Sequence, residues 1–307
     1  VTTAAAVPPP VITGPWRNLR LTSQEGCHDT NYSTLSRYWE LEPGADCGTF
    51  GIRGYRPLTL ALVTADTVNR QPTSGNPANT ATGSIDYRTT ETRLQLSVRT
   101  KVAQGLLRPL APQGTDSLWV GYTQQSYWQV FNPGLSRPFR STDHEPELIY
   151  VLPLQGAKDG EWRLRYGGVG VVHQSNGQSL PYSRSWNRVY AMAGAEGGPF
   201  QLHARLWHRL PEDAVDNDNP GISDYIGRGE LRGSWQVNDD NMVALTGRHS
   251  LKSSGRGSAR LEWFRSLGSE SGGLHLHTQL FTGFGDSLLD YNRKRTVFSV
   301  GFSLVEW

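Results

Sequence analysis

The feature that most restricts this chain is a period-two alternation of apolar and polar residues that recurs along most of its length. Leu94, Leu96, Val98 and Val102 are interleaved with Gln95, Ser97 and Arg99. Successive side chains of an extended strand point to opposite faces, so such a segment has one apolar and one polar face. The pattern returns in Leu118, Val120 and Tyr122, in Leu148, Tyr150, Leu152 and Leu154, and in Trp162, Leu164 and Tyr166. It is repeated in Phe200, Leu202, Ala204 and Leu206, in Ala259, Leu261 and Trp263, in Leu274, Leu276 and Leu280, and in Phe298, Val300, Phe302 and Leu304. With Leu58–Val68, Ser185–Met192, Ile226–Trp235 and Met242–Gly247, the pattern predicts roughly twelve strands.

No long amphipathic helix interrupts the series, which excludes an α/β fold. No apolar run approaches the roughly 18 residues of a transmembrane helix. Two all-β arrangements remain. A soluble sandwich or barrel turns the apolar faces inward, whereas a transmembrane antiparallel β-barrel turns them outward around a polar lumen. Three details favour the membrane barrel. The polar faces carry Arg93, Gln95, Arg99, Gln125 and Arg188; Tyr127, Trp128, Tyr150, Trp162, Trp186 and Tyr190 lie near strand ends, where an interfacial girdle forms; and the last strand closes on Trp307.

Residues 1–54 lack the alternation and read as an N-terminal extension to a barrel of residues 55–307, with a short helical stretch at Leu35–Leu41. The polar, Pro-rich start (Val7–Pro10) shows no signal peptide, and removal of one is the favoured reading. Cys27 and Cys47 have no CxxC or histidine cluster beside them, so zinc is excluded. They are a disulfide in an oxidising compartment or two separate thiols in the cytosol. Lys and Arg total 30 against 28 Asp and Glu, a net charge of +2 with no basic stripe, which argues against nucleic acid as a partner.

The densest polar segment is His173-Gln-Ser-Asn-Gly-Gln-Ser179, followed by Ser183-Arg-Ser-Trp-Asn-Arg188. His173 and Ser175 share one face of an extended segment, and their odd numbering continues Val169 and Val171. In a membrane barrel that face looks at lipid, where polar side chains are costly and mark function. The apolar residues are even-numbered through Tyr166 and odd-numbered from Val169, which predicts a β-bulge at Gly167-Gly168. The chemistry suggested is nucleophilic acyl transfer. A serine hydroxyl needs a base, which His173 can supply, and the imidazole needs an orienting group, which Asn187 can supply. The Gly177 N–H can face an oxyanion. A bare H-x-S pattern equally describes a polar hairpin with an incidental histidine.

These two segments closely resemble the signature of the bacterial outer membrane phospholipase A family. So do Tyr122-Thr-Gln-Gln-Ser-Tyr-Trp-Gln129, Pro138-Phe-Arg140, Glu145-Pro146, Asp218-Asn-Pro220 and Gly283-Phe-Gly-Asp-Ser-Leu-Leu-Asp-Tyr-Asn292. The resemblance runs from about residue 55 to Trp307. It implies a twelve-stranded barrel in the bacterial outer membrane, with its active site toward the outer leaflet. It also implies calcium-dependent hydrolysis of phospholipid and lysophospholipid acyl esters, favoured in a homodimer. Ser175 is then the nucleophile, His173 the base, Asn187 its orienting partner, and the Gly177 amide part of the oxyanion hole with calcium-bound water. The family's Ca2+ ligands fall on the Ser136 hydroxyl and on the carbonyls of Gln178 and Ser183, oxygen donors that suit a hard cation. Asp218 matches one ligand of a second calcium position, although Leu180 stands where a carboxylate is expected. Gln124 matches a polar residue of the dimer interface. The extension with Cys27 and Cys47 has no counterpart. Two other readings compete: a catalytically silent barrel (porin, adhesin or structural protein), and a secreted soluble lipase with its apolar faces inside.

Overall fold

The structure is a computed structural model and describes residues 26–107, 115–137, 139–154, 162–268 and 273–304. Trp307 and residues 1–25 of the extension lie outside the described residues. The strands are β1 (Ile52–Gly54), β2 (Leu58–Ala65), β3 (Thr90–Gln104), β4 (Ser117–Trp128), β5 (Ser141–Pro153), β6 (Arg163–Ser175) and β7 (Ser185–Gly197). They continue with β8 (Phe200–Arg209), β9 (Gly229–Asn238), β10 (Asn241–His249), β11 (Gly257–Ser266), β12 (Leu274–Gly283) and β13 (Arg295–Leu304). From β2 onward each pairs antiparallel with the next, and β13 returns to β2 and closes the sheet. β1 and β2 both pair with the same edge of β3, Ile52 opposite Thr100 and Thr59 opposite Gln95. They are one strand position interrupted at 55–57, so the barrel has twelve positions. β9 begins at Gly229 rather than Ile226, because the chain first makes a helical turn, α2 (Ile222–Tyr225).

Burial decides which face is which. Leu62 in β2, Val169 in β6, Leu206 in β8 and Phe302 in β13 are half-exposed on the outer wall. Arg93, Arg99, Glu147, Glu262 and Gln279 are buried inside. An apolar exterior this extensive is stable only in lipid, so the soluble alternative fails. The lumen is crossed by paired polar side chains around a cavity lined by Arg93, Gln125, Glu145 and Arg188. Arg93 donates to Gln279 Oε1 at 2.9 Å, Tyr190 to Glu147 Oε2 at 2.6 Å, and Arg232 to Glu262 Oε2 at 2.6 Å. Buried polar groups held this way satisfy one another at low dielectric.

Two expectations are corrected. Tyr127, Trp186 and Tyr190 do not belong to an interfacial girdle; they are buried inward. In β4 the outward residues are even-numbered, as Val120 is, and in β7 they are odd-numbered, so strand parity sends these three rings into the lumen. Trp162 does lie outward and exposed. The bulge falls between Leu164 and Tyr166, not at Gly167-Gly168. The extra residue is Arg165, and Tyr166 already points inward, 2% exposed against Trp39. Glycines here make room instead: a Cβ on Gly168 would meet Met192 Cε at 2.7 Å, and one on Gly170 the Tyr190 ring at 2.4 Å, so the gaps admit inward side chains.

The described part of the extension enters the barrel. Its helix, α1 (Thr34–Trp39), starts at Ser33, whose hydroxyl accepts from Ser36 N. Leu35, Trp39 and Leu41 are buried, and the Trp39 ring meets Tyr55, Trp119 and Tyr166 edge-on at centroid distances of 6.3, 5.8 and 5.7 Å. Lys101 of β3 pairs with Glu40 at 2.6 Å and with Asp46 at 2.5 Å. Cys27 and Cys47 are joined by a disulfide. All these contacts lie toward the end where β7 and β8 meet in a two-residue turn, Gly198-Pro199. The opposite end carries the long connections 66–89, 129–140, 176–184, 210–228 and 284–294.

Candidate active site

The long-loop end of β6 and β7 places the predicted residues on the outer wall. His173 pairs directly with Asn187 across the β6–β7 ladder, which aims both side chains outward. His173 Nδ1 lies 2.8 Å from Asn187 Oδ1. An amide oxygen only accepts, so that contact puts the proton on Nδ1 and leaves Nε2 with its lone pair. His173 is exposed and Ser175, two residues on, is half-exposed on the same face. Among the described residues no hydrogen bond joins Ser175 to His173.

The following loop is shaped by a buried asparagine. Asn176 Oδ1 accepts from Arg184 N at 2.9 Å and Gln178 N at 3.3 Å, while its Nδ2 donates to Tyr182 O at 2.8 Å. Gly177 follows at φ +60°, a left-handed conformation that leaves its amide on an exposed turn. Arg184, fully buried, fastens the loop by donating to the carbonyls of Pro181, Ser183, Thr73 and Asn79.

Of the four predicted calcium ligands, two are brought together. Ser183 Oγ donates to Asp218 Oδ2 at 2.7 Å, and Asp218 also accepts from Ser185 Oγ at 3.1 Å and Asn79 Nδ2 at 3.0 Å. Gln178 Nε2 donates to Arg140 O at 3.0 Å, tying its loop to the 129–140 connection that carries Ser136. Ser136 O accepts from Trp128 Nε1 at 2.7 Å, and no described hydrogen bond links Ser136 to Gln178 or Ser183. The donor set is all oxygen, as a hard cation requires. The Ser136 hydroxyl and Gln178 carbonyl accept no described hydrogen bond, whereas Ser183 O already accepts from Asn79 and Arg184.

The 129–140 loop is held from inside. The Arg140 guanidinium, fully buried, donates to Glu91 Oε1 at 2.6 Å, Glu91 Oε2 at 3.1 Å and Asp290 Oδ2 at 3.2 Å. Arg295 meets the same Asp290 oxygen at 2.7 Å. Burial raises the Asp290 carboxyl, but Arg140 and Arg295 outweigh it and hold it down at about 2.

Gln124 lies half-buried on the outer face of β4, its Oε1 accepting from Tyr122 OH at 3.2 Å and its Nε2 donating to Ser126 Oγ at 3.3 Å. Two residues escaped sequence reasoning. His144 pairs across the ladder with Ser175, and its Nδ1 lies 2.7 Å from Tyr122 OH. Its even number, shared with outward Leu148, marked it as polar on the lipid face. Glu212 accepts from Asn187 Nδ2 at 3.2 Å, although it lies beyond the end of β8. No strand pattern points to it.

Residues 35–304 match the sequence model of the family described as Phospholipase A1. The chain belongs to the phospholipase A1 family. Among relatives of this family, the putative phospholipase A1 of Neisseria meningitidis serogroup B is 37% identical over 276 residues, covering 88% of this chain and 69% of that protein. Phospholipase A1 of Escherichia coli is 34% identical over 214 residues, covering 70% and 69%. The solved outer membrane phospholipase A from Escherichia coli superposes with a TM-score of 0.71 at 29% identity, covering 85% of this chain and 94% of that one. The Salmonella typhi outer membrane phospholipase dimer with bound calcium superposes with a TM-score of 0.72 at 30% identity, covering 84% and 93%. Family and fold together place this phospholipase A1 member among outer-membrane β-barrels.

Proposed function

We propose that this chain is a calcium-dependent outer-membrane phospholipase that hydrolyses acyl esters of phospholipids and lysophospholipids. One observation carries the reading: the His173–Asn187 hydrogen bond of 2.8 Å lies on the apolar outer wall beside Ser175, at the long-loop end where lipid and water meet. Ser175 Oγ attacks the acyl carbonyl while His173 Nε2 takes its proton. The oxyanion faces the Gly177 amide. Collapse expels the glyceryl oxygen, which takes the proton back from His173, and water, deprotonated by the same imidazole, then releases the fatty acid from Ser175. Calcium, when bound by Ser136 Oγ and the Gln178 and Ser183 carbonyls, supplies positive charge beside the oxyanion. Asp218 is the further candidate ligand; its carboxylate is held by Asn79, Ser183 and Ser185, and Leu180 brings no side-chain oxygen.

In this reading residues 55–307 are the catalytic domain and residues 1–54 its extension, whose last three residues, Ile52–Gly54, pair with β3 and join the wall. The active form is a homodimer with Gln124 in the contact, since a polar amide on a lipid-facing wall gains from pairing across an interface.

The test is hydrolysis of phospholipid in mixed micelles. EDTA should stop it, and Ser175→Ala should abolish it in a barrel that remains folded; full activity in that variant removes the nucleophile. Specific activity should fall as the protein is diluted in detergent, and a rate independent of dilution with a monomer shown by sedimentation refutes the dimer. The rival reading, a silent barrel, predicts no hydrolysis at all, and if it is a porin it predicts steady single-channel conductance, which the side chains paired across the lumen and the docked Trp39 argue against.

A further inference from the structure

We infer that Glu212 is a positioning residue of the acyl-transfer site, a fourth member that fixes which way Asn187 faces. The inference rests on the reading of Ser175, His173 and Asn187 as a triad. An asparagine is a weak choice for orienting a histidine, because its amide presents a donor on one side and an acceptor on the other. Rotation of the amide by half a turn would aim N–H at His173 Nδ1 and stabilise the wrong tautomer. Something must select between the two orientations, and Glu212 does so. Its carboxylate can only accept, so the group it meets at 3.2 Å must be Asn187 Nδ2, and Oδ1 is left to His173.

The carboxylate is itself held in place. Arg209 Nη2 donates to Glu212 Oε2 at 2.6 Å, and each side chain is only 15% exposed. The same guanidinium donates to Asn217 Oδ1 at 2.8 Å and to Asn219 O at 3.2 Å. The backbone closes the arrangement: Leu210 N donates to Asn187 O at 2.8 Å, extending the β7–β8 pairing by one step, and Glu212, two residues on, reaches the Asn187 side chain. A charge-assisted hydrogen bond to a partly buried arginine, itself fixed by Asn217 and Asn219, restrains the carboxylate more than solvent restrains a free surface glutamate. The result is a chain of four groups, each with one assignable donor direction: His173 Nδ1–H to Asn187 Oδ1, Asn187 Nδ2–H to Glu212 Oε1, and Arg209 N–H to Glu212 Oε2.

Support of this kind, applied to a group one step from the chemistry, alters rate rather than substrate affinity, and partners of this type elsewhere are worth on the order of 10–100-fold. The experiment compares Ser175→Ala, Glu212→Gln, Asn187→Asp and the double variant Asn187→Asp/Glu212→Gln in phospholipid mixed micelles with calcium. Heat-modifiable gel mobility checks that each barrel is folded. Ser175→Ala should be inactive. Glu212→Gln should lose about 10–100-fold in kcat with KM unchanged within about twofold. Asn187→Asp should be impaired because it sets two carboxylates against each other. The double variant exchanges carboxylate and amide, so the carboxylate at position 187 accepts from both His173 and the new amide at 212. It should recover at least about tenfold over Asn187→Asp alone, a rescue that a purely structural role does not produce. A Glu212→Gln enzyme with kcat within about twofold of the parent overturns the role of Glu212. A double variant no better than Asn187→Asp does the same and decides the matter if Glu212→Gln fails to fold. An active Ser175→Ala variant brings down the triad, and this inference with it, and is distinguishable because it leaves no nucleophile to support.

Discussion

Replacing Arg140 by methionine tests how the loop bearing Ser136 is held. The substitution keeps an unbranched side chain of similar length and removes the charge. In the parent, Arg140 makes three hydrogen bonds to Glu91 and Asp290, and all three side chains are fully buried. Removing one partner of a buried ion pair strands the other and costs ~3–5 kcal/mol. The lower end applies here. Glu91 keeps Gln129 Nε2 at 2.9 Å and Arg295 at 3.8 Å, and Asp290 keeps Arg295 at 2.7 Å. The expected loss is therefore ~3 kcal/mol, over a hundredfold in the folding equilibrium. Urea titration in micelles, followed by tryptophan fluorescence, measures it. Adding Glu91→Gln should restore at least ~1 kcal/mol, because the stranded charge is then gone. A loss under ~1 kcal/mol, or a further loss on adding Glu91→Gln, would refute the argument that these charges depend on one another.

Trp39→Ala should undock the extension. Loss of a buried tryptophan costs ~3–5 kcal/mol, borne by the segment around α1 rather than by the barrel wall. The readout is protease cleavage within residues 26–50 and faster reduction of Cys27–Cys47, while the twelve strands keep their urea midpoint; an equal fall in barrel stability without cleavage contradicts a separable plug. Acid should weaken the loop end. Asp290, held at about 2 against an ordinary ~3.9, contributes stability that is fully present above pH ~4 and lost as pH falls toward 2, roughly 2 kcal/mol in all. Asp290→Asn should flatten that stretch of the acid titration, and an unchanged profile shows that the pairing with Arg140 and Arg295 does not drive it.

The strands were readable from sequence because a barrel wall sorts side chains by parity, and Leu94, Leu96 and Val98 announce their face by alternation alone. The apolar-out choice followed from residues such as Arg93 and Arg99 on the opposite face. His173 stood out as a polar residue on a lipid-facing register. Reading failed where parity is reset or absent. Arg165 shifts the register of β6, so Tyr166 counts as outward by number and lies inward in fact. Trp186 and Tyr190 share the chemistry of girdle aromatics and differ only in the face they occupy. Glu212 reaches Asn187 from a loop, and the extension reaches the lumen without any repeating pattern. Both depend on long-range closure of the chain, which local periodicity does not encode.

The outward aim of His173 and Ser175 has a kinetic consequence. Under the proposed triad, with the reactive groups on the outer wall, substrate would reach the site by lateral diffusion within a leaflet rather than from solution. The relevant concentration is then a surface density, in molecules per area, and diluting phospholipid with inert detergent at fixed bulk concentration should slow turnover. Encounters between two copies of the barrel take place in that same plane. Under the proposed dimer, crowding of the membrane with phospholipid and crowding of the barrel with its own copies would be governed by one two-dimensional geometry.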